Sequence, residues 1–283
     1  MSKGFKYTLI AAVSWAACIV GIKFLLRNGE NSYNIVFWLA LLVLPYWIIT
    51  FVKRSSLLRT IKKDDYFVLL GMGIISGILL PIIEVFAIKY SPAINYSFLI
   101  RSVVLFTAVF AYFFFSEKLT WKKIVLIFLV VVGVFLLTTE GKMPHFTLGD
   151  ILTLIQAALI SFGNTILGKK AVKFVDSKFA ASFVILFGFL PILVITLLNH
   201  AVSIPQLPLV FIFIAIISTV GTIYRFNAYK NATASFITVV YTLTPVMVSF
   251  AAIPLFKESL SSVQIIGAGL IIATGFLAEK LEK

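Results

Sequence analysis

Residues 84–124 read EVFAIKYSPAINYSFLIRSVVLFTAVFAYFFFSEKLTWKKI, and residues 225–265 read RFNAYKNATASFITVVYTLTPVMVSFAAIPLFKESLSSVQI. At a shift of 141 residues the charged matches are one pair of lysines, Lys89 with Lys230, and one pair of glutamates, Glu117 with Glu258. Apolar matches arise easily in such sequences, so the charged matches carry most of the weight. The chain is therefore predicted to contain an internal repeat.

Composition places the whole chain in a membrane. Hydrophobic residues make up 61% of the 283 positions, and the mean hydropathy is +1.08. Soluble domains are only about half apolar. Apolar runs recur along nearly the full length, which leaves no stretch polar enough for a separate soluble domain. Cys18 is the single cysteine, so an intrachain disulfide is impossible.

Ten apolar runs are long enough to cross a bilayer as helices, for which about 20 residues are needed. Strands of a β-barrel would interrupt these runs with a polar residue at every second position. The basic start followed by an apolar run is interpreted as a retained first span, since similar spans follow. The predicted spans are 5–26, 31–52, 66–88, 92–115, 120–139, 148–168, 178–199, 208–229, 232–255 and 260–278.

The repeat and the span count together predict an inverted architecture. Residues 1–140 and residues 141–283 each hold five spans, so the second half enters the membrane from the opposite side. The predicted fold is all-α and polytopic, with ten transmembrane helices in two inverted five-helix repeats. Two such halves can expose a central site to either side in turn, which favours transport.

The net charge of +13 is explained by topology. With a cytoplasmic N-terminus, 17 of the 24 Lys and Arg residues fall in cytoplasmic segments and 4 in outer segments. Basic residues favour the cytoplasmic side of spans. Both termini are therefore predicted to be cytoplasmic. The sequence has no basic groove interleaved with aromatic residues, so nucleic acid is not an expected partner.

Several motifs resemble the ten-helix EamA family of the drug/metabolite transporter superfamily over essentially the entire chain. They are SWAACIVGIKFLL (14–26), GDILTLIQAAL (149–159), the related pair FFFSEKL (113–119) and PLFKESL (254–260), and LTPVMV (243–248). The resemblance implies a plasma-membrane carrier of small metabolites, often an exporter. It also implies a cavity lined mainly by the third, fourth, eighth and ninth helices.

Ionisable residues inside spans are the first candidates for a site, because each costs about 2.5–3.5 kcal/mol to insert. Glu84 and Arg101 are predicted at similar depth. Either they form a buried structural ion pair, or both face the cavity, where Arg101 holds a substrate anion and Glu84 holds an amine or exchanges a proton. Arg225 and Lys23 are further candidates, with snorkelling to the surface as the alternative.

Polar residues at cavity depth complete the predicted substrate-binding set, although bonding between helices explains each equally well. These residues are Asn95, Tyr96, Asn164, Asn227, Tyr241 and Thr242. Pro81 is predicted to kink the third helix beside Glu84. Gly71, Gly73 and Gly77 suggest a close-packing face, and Glu117 is expected to cap the helix that follows it.

No motif for catalysis is present. His145 and His200 fall in predicted outer loops without neighbouring ligands at metal spacing, so neither a metal nor a cofactor is expected. The predicted function is secondary transport of an amino acid or organic anion by alternating access, with possible proton coupling. The alternatives are a proton antiporter for lipophilic cations, a lipid-carrier flippase and a non-transporting scaffold. The protein is expected to be a monomer or a homodimer.

Overall fold

The computed structural model describes residues 2–90, 99–118, 120–139, 147–200, 202–256 and 260–282, and within these ranges every regular element is helical. The α-helices are α1 (Lys3–Arg27), α2 (Ser32–Val52), α3 (Lys63–Met72), α4 (Leu80–Tyr90), α5 (Val103–Phe115), α6 (Trp121–Thr139), α7 (Leu148–Leu159), α8 (Gly168–Ala171), α9 (Ser177–Leu198), α10 (Pro208–Asn231), α11 (Ala234–Tyr241), α12 (Leu243–Phe256) and α13 (Ser262–Glu282). Turns of 3₁₀-helix occupy Ser55–Thr60 and Ile100–Ser102, and π-helix occupies Gly73–Leu79 and Ile160–Leu167.

Seven helical stretches in the described part of the chain are long and apolar enough to cross a membrane. They are Lys3–Arg27, Ser32–Val52, Trp121–Thr139, Leu148–Ala171, Ser177–Leu198, Pro208–Asn231 and Ala234–Leu255. Shorter apolar helices cover Ile100–Phe115 and Ser262–Ala278. The protein is therefore a multi-pass membrane protein, as predicted, while the count of ten spans stays a prediction.

Apolar side chains cover the outside of the bundle. Phe113, Leu198 and Leu209 are among many large hydrophobic residues whose side chains are mostly exposed. A surface this apolar would be an aggregation hazard in water. In a bilayer it is the face solvated by lipid, and helices suit that position because they satisfy their own backbone hydrogen bonds.

The two halves of the sequence interlock. The most extensive contacts join α1 with α10, α2 with α9, α4 with α7, and α6 with α13. Each of these pairs combines one helix from residues 1–140 with one from residues 141–283. The halves therefore pack as one body.

Glycine allows close approach at two places, between α6 and α13 and between the π segment Gly73–Leu79 and α9. A Cβ on Gly267 of α13 would lie 2.6 Å from the carbonyl oxygen of Gly133 on α6. A Cβ on Gly77 would lie 3.0 Å from the backbone nitrogen of Gly188 on α9. Small residues bring membrane helices together in this way. The close-packing face predicted around Gly77 is confirmed.

The helical run from α3 through α4 departs from α geometry before Pro81. The π segment Gly73–Leu79 ends two residues ahead of this proline. Proline lacks a backbone N–H and so removes one hydrogen bond from the helix interior. The kink predicted at Pro81 stays a prediction, and the structure shows a widened turn in Gly73–Leu79, of a kind that is frequent at functional sites.

Candidate functional site

A cavity of about 150 Å³ lies where four helical segments meet. Its polar lining residues are Arg101, Asn164, Thr165, Arg225, Tyr229, Thr238, Tyr241 and Thr242. Ile100, Val103, Val104, Ile160 and Ile237 supply the aliphatic wall. Both halves of the chain contribute to this lining.

Local sequence explains how the helices present the polar residues. Arg225 and Tyr229 are four residues apart on α10, so they share one helix face. Thr238, Tyr241 and Thr242 follow the same spacing at the end of α11. The cavity thus receives one polar face from each of these two helices.

The break between α11 and α12 exposes the end of α11 to the cavity. Pro245, two residues into α12, removes a backbone donor and clashes with the carbonyl of Tyr241. The helix accordingly ends at Tyr241, and the hydroxyl of Thr242 turns back to donate to the carbonyl of Val239 at 2.5 Å.

The π segment of the sixth span supplies Asn164 and Thr165. Gly163, in the same segment, faces the π segment of the third span, where its Cβ would meet Ile75 at 2.5 Å. Each segment widens where the other approaches. The two irregular turns therefore lie against each other beside the cavity.

Arg225 has aromatic neighbours. Its guanidinium carbon lies 5.5 Å from the centre of the Trp15 ring and 5.7 Å from that of Phe226. These distances are within the range of cation–π attraction. The Nε atom is buried and has no hydrogen-bond partner in the described structure. This position at the cavity does not fit the snorkelling interpretation.

Of the ten predicted site residues, five line the cavity, namely Arg101, Asn164, Arg225, Tyr241 and Thr242. Asn95, Tyr96 and the side chain of Lys23 lie outside the described residues. Asn227 is half-buried on α10 and is not part of the lining, and its carbonyl accepts a bond from the Asn231 side chain.

Glu84 is also not part of this lining. Its side chain is exposed on α4, whereas Arg101 lines the cavity. The sequence predicted that the two residues lie at similar depth in the membrane, but it did not predict the direction in which each side chain faces. The structure therefore does not bring both into the cavity together.

Three polar lining residues were missed from sequence, namely Thr165, Tyr229 and Thr238. Each lies next to a predicted residue or one helical turn from one: Thr165 follows Asn164, Tyr229 follows Arg225 by four, and Thr238 precedes Tyr241 by three. Extending each predicted residue by a helical turn would have found the last two.

Polar contacts join the start of α11 to neighbouring segments at the end of the bundle nearest the N-terminus. The carboxylate of Glu117, just past α5, accepts bonds from the backbone N–H of Ala234 at 2.8 Å and from the Ser235 hydroxyl at 2.8 Å. The Lys169 ammonium donates to the Ala232 carbonyl. Gly4 lies against Ala232, which places the N-terminus at this end. We call these contacts the terminal-side closure.

Glu117 thus caps a different helix from the one predicted. It was expected to cap the helix that follows it, but it caps the N-terminus of α11, 117 residues away from Ala234 along the chain. The positive end of any helix attracts a carboxylate, and tertiary packing decides which helix is within reach. Glu258, the equivalent residue in the second half, lies outside the described residues.

Metal-binding groups are not assembled in the part of the chain that the structure describes. There, no three His, Cys, Asp or Glu side chains come together closely enough to hold an ion. Cys18 is buried among the apolar residues between α1 and α10. The polar cavity is thus the feature of this interior suited to binding a solute.

Comparison with known proteins places this architecture among transporters. The family model for the EamA-like transporter family matches residues 2–139 and 147–278. A protein of Clostridium kluyveri named "Uncharacterized transporter" is 24% identical over 96% of this chain and 91% of its own length. One of Archaeoglobus fulgidus with the same name is 22% identical over 98% and 97%.

A solved crystal structure has the same fold. It is 16% identical in sequence, superposes with a TM-score of 0.79, and the match covers 99% of both chains. At this level of identity the likeness concerns the fold alone.

Proposed function

The chain belongs to the EamA-like transporter family, and from this premise we propose that it is a secondary transporter of a small polar metabolite, an amino acid or an organic anion. The polar cavity inside an apolar helical bundle carries the proposal, because a bundle with a purely structural role gains nothing from an arginine-lined space. The proposed architecture is ten transmembrane helices in two inverted halves, working by alternating access without a cofactor.

Helix pairing supports the inverted halves. Under a two-fold relation, the first span corresponds to the sixth and the third to the eighth. The pair α1 with α10 then maps onto the pair α7 with α4, and both pairs are among the most extensive contacts. The pairs α2 with α9 and α6 with α13 map onto themselves.

Two matching clamps also support this symmetry. The Glu30 carboxylate, between α1 and α2, accepts a bond at 2.6 Å from the backbone N–H of Gln206, just before α10. The Asp176 carboxylate, between α8 and α9, accepts a bond at 2.9 Å from Arg54, just after α2. Under the repeat these two loop pairs are equivalent and lie at opposite ends of the bundle.

The terminal-side closure supports alternating access. Glu117 and Lys169 hold the ends of the fourth and sixth spans against the start of α11. These are polar contacts at helix ends, which separate at lower cost than packed apolar faces do. Opening this end while the opposite end closes would deliver the solute to the terminal side.

The charge count and contacts at the ends of the bundle support a proposed orientation in the membrane. Phe5 of α1 packs on Phe276 of α13 with ring centres 6.3 Å apart, so both termini share one side of the bundle. The excess of Lys and Arg near this side favours the cytoplasm. We place the protein in the cell membrane with both termini cytoplasmic, as a monomer or homodimer.

The alternatives have less support. A proton antiporter for lipophilic cations needs a carboxylate in its site, and Glu84, its candidate, does not line the described cavity. A flippase needs an apolar groove for acyl chains, whereas this cavity carries two arginines. A scaffold needs no polar cavity at all.

Counterflow in proteoliposomes tests the proposal. Vesicles loaded with a mixture of unlabelled amino acids and organic acids are diluted into single labelled solutes, and we expect transient accumulation of at least one solute. Protein-free vesicles control for leakage. Absence of accumulation across both solute classes would contradict secondary transport.

A further inference from the structure

Arg225 carries a charge that its described surroundings do not neutralise. The guanidinium contacts the rings of Trp15 and Phe226, but among the described residues the structure gives it no ion pair, and its buried Nε has no hydrogen-bond partner. Ring faces attract a cation but do not cancel its charge. A cation held inside a membrane without a counter-ion is costly. A bound anion would supply the missing partner.

Acidic groups are absent from the described lining of the cavity. Its neutral polar residues, including Asn164, Thr165 and Thr238, can donate hydrogen bonds to the oxygens of an anion. The ammonium group of an amino acid would find two arginines and no carboxylate in this lining. Such like-charge proximity disfavours a solute that carries an ammonium.

The rest of the wall is aliphatic and the space is small. Val103, Val104 and Ile237 face the same cavity as Arg225. A cavity of 150 Å³ in an apolar core is known to admit benzene, so the space fits a solute of about six to eight non-hydrogen atoms. One end of a bound solute would contact a cationic side chain, and the other end would contact aliphatic side chains.

We propose that the cavity selects compact carboxylate anions that have a short apolar end, and that Arg225 is the residue that selects for their negative charge. This inference rests on the proposed transport function and narrows its solute from two classes to one. Arginine suits the role because its planar fork binds both oxygens of a carboxylate.

Two pairs of matched solutes test the selection. 3-Methylbutanoate and 3-methylbutanamide have the same shape and differ in charge. 3-Methyl-2-oxobutanoate and valine have the same skeleton and differ in the ammonium group. Thermal-shift titration of the purified protein measures binding, because a ligand stabilises the state that it binds. Proteoliposome exchange near pH 8, with protein-free vesicles as the leak control, measures movement.

We expect the two carboxylates without an ammonium to raise the melting temperature and to exchange, with the amide and valine weaker by at least about tenfold. In Arg225→Gln this preference should be lost, with carboxylate binding weakened by about 10- to 100-fold, the range for charge-assisted hydrogen bonds. Lys230→Gln removes the same charge one turn further along α10, at an exposed position, and should leave the preference unchanged.

A second variant tests the same role of Arg225 in case Arg225→Gln does not fold. Arg225→Lys keeps the charge and loses the fork, so it should still prefer the carboxylate over the amide while binding both carboxylates more weakly. If Arg225→Lys binds the amide and the carboxylate equally, the assigned role of Arg225 is wrong.

The outcomes separate this inference from the proposed function. Exchange of valine with no exchange of either carboxylate would overturn the anion selection and leave secondary transport standing. Carboxylate binding without any exchange would support the anion site and contradict transport. A protein that neither binds nor exchanges any of the four solutes would overturn the anion selection outright.

Discussion

Arg101 is placed by one turn of 3₁₀-helix, Ile100–Ser102, immediately before α5. This turn sets the Arg101 side chain at the cavity wall, where truncation removes a cation from the lining. We expect Arg101→Ala to reduce exchange by at least about tenfold, since hydrogen bonds to charged groups contribute about 1.5–3 kcal/mol.

The control for Arg101 is Arg59→Ala. Arg59 is exposed in the segment between α2 and α3, so its removal changes the net charge equally without touching the cavity. Purification of both variants as monodisperse protein in detergent checks folding. Exchange at the wild-type rate in Arg101→Ala would remove this residue from the site.

Glu84 differs from Arg101 because its side chain is exposed on α4 and is not part of the cavity lining. We expect Glu84→Gln to keep solute-for-solute exchange within about twofold of wild type, the usual range for substitutions away from a site. The exchange assay above measures this. A large loss would return Glu84 to the binding site. Exchange that persists but no longer responds to a pH gradient would assign Glu84 to proton coupling.

The contact of α6 with α13 depends on the glycine at position 267 and not on the one at position 269. A Cβ on Gly267 would lie 2.6 Å from the Gly133 oxygen, while nothing lies within 4 Å of a Cβ on Gly269. Backbone atoms cannot yield as a flexible side chain does. Gly267→Val should therefore destabilise the protein by about 1–3 kcal/mol, the typical cost of overpacking.

Gly269→Val is the matched control, because it makes the same change of helix propensity on the same helix. The two melting temperatures in one detergent compare them directly, with that of Gly267→Val expected to be the lower. Equal melting temperatures would show that α6 and α13 do not approach as closely as the structure has them.

Helices were more predictable than the direction their residues face. Long apolar runs predicted the seven long spans, because a helix that crosses a bilayer needs about 20 mostly apolar residues. The start of α7 was also predicted, and the Asp150 carboxylate accepts from the backbone N–H of Thr147 there. Such signals are local. The orientation of Glu84 and the helix capped by Glu117 depend on which elements pack together, and no local pattern states that.

The sequence predicted the charged residues of the cavity better than it predicted the full set of lining residues. Arg101 and Arg225 were candidates because charge in a membrane span is costly and so marks function. Tyr229 was missed because an aromatic residue on an apolar helix is ordinary in sequence. The π segment that presents Thr165 has no signal of its own in the sequence, since Ile160–Leu167 holds no proline.

For the whole molecule, the question is whether the cavity opens to one side at a time. The chain suits a direct test, because Cys18 is its single cysteine and is buried. In a Cys18→Ala background, Thr238→Cys places one thiol at the cavity wall. A membrane-impermeant thiol reagent, added from either side of oriented vesicles, then reports which end is open.

Glu117→Gln should shift that balance. The substitution removes the charge that holds α11 at the terminal-side closure, where a lost cap costs about 0.5–2 kcal/mol. If the closure exists in one of two exchanging states, labelling from the terminal side rises by about 2- to 30-fold and labelling from the opposite side falls. Asp64→Asn, an exposed change of equal charge at the start of α3, should alter neither rate. Labelling that rises from both sides together would mean a pore or a loosened bundle, and alternating access would then be wrong for this protein.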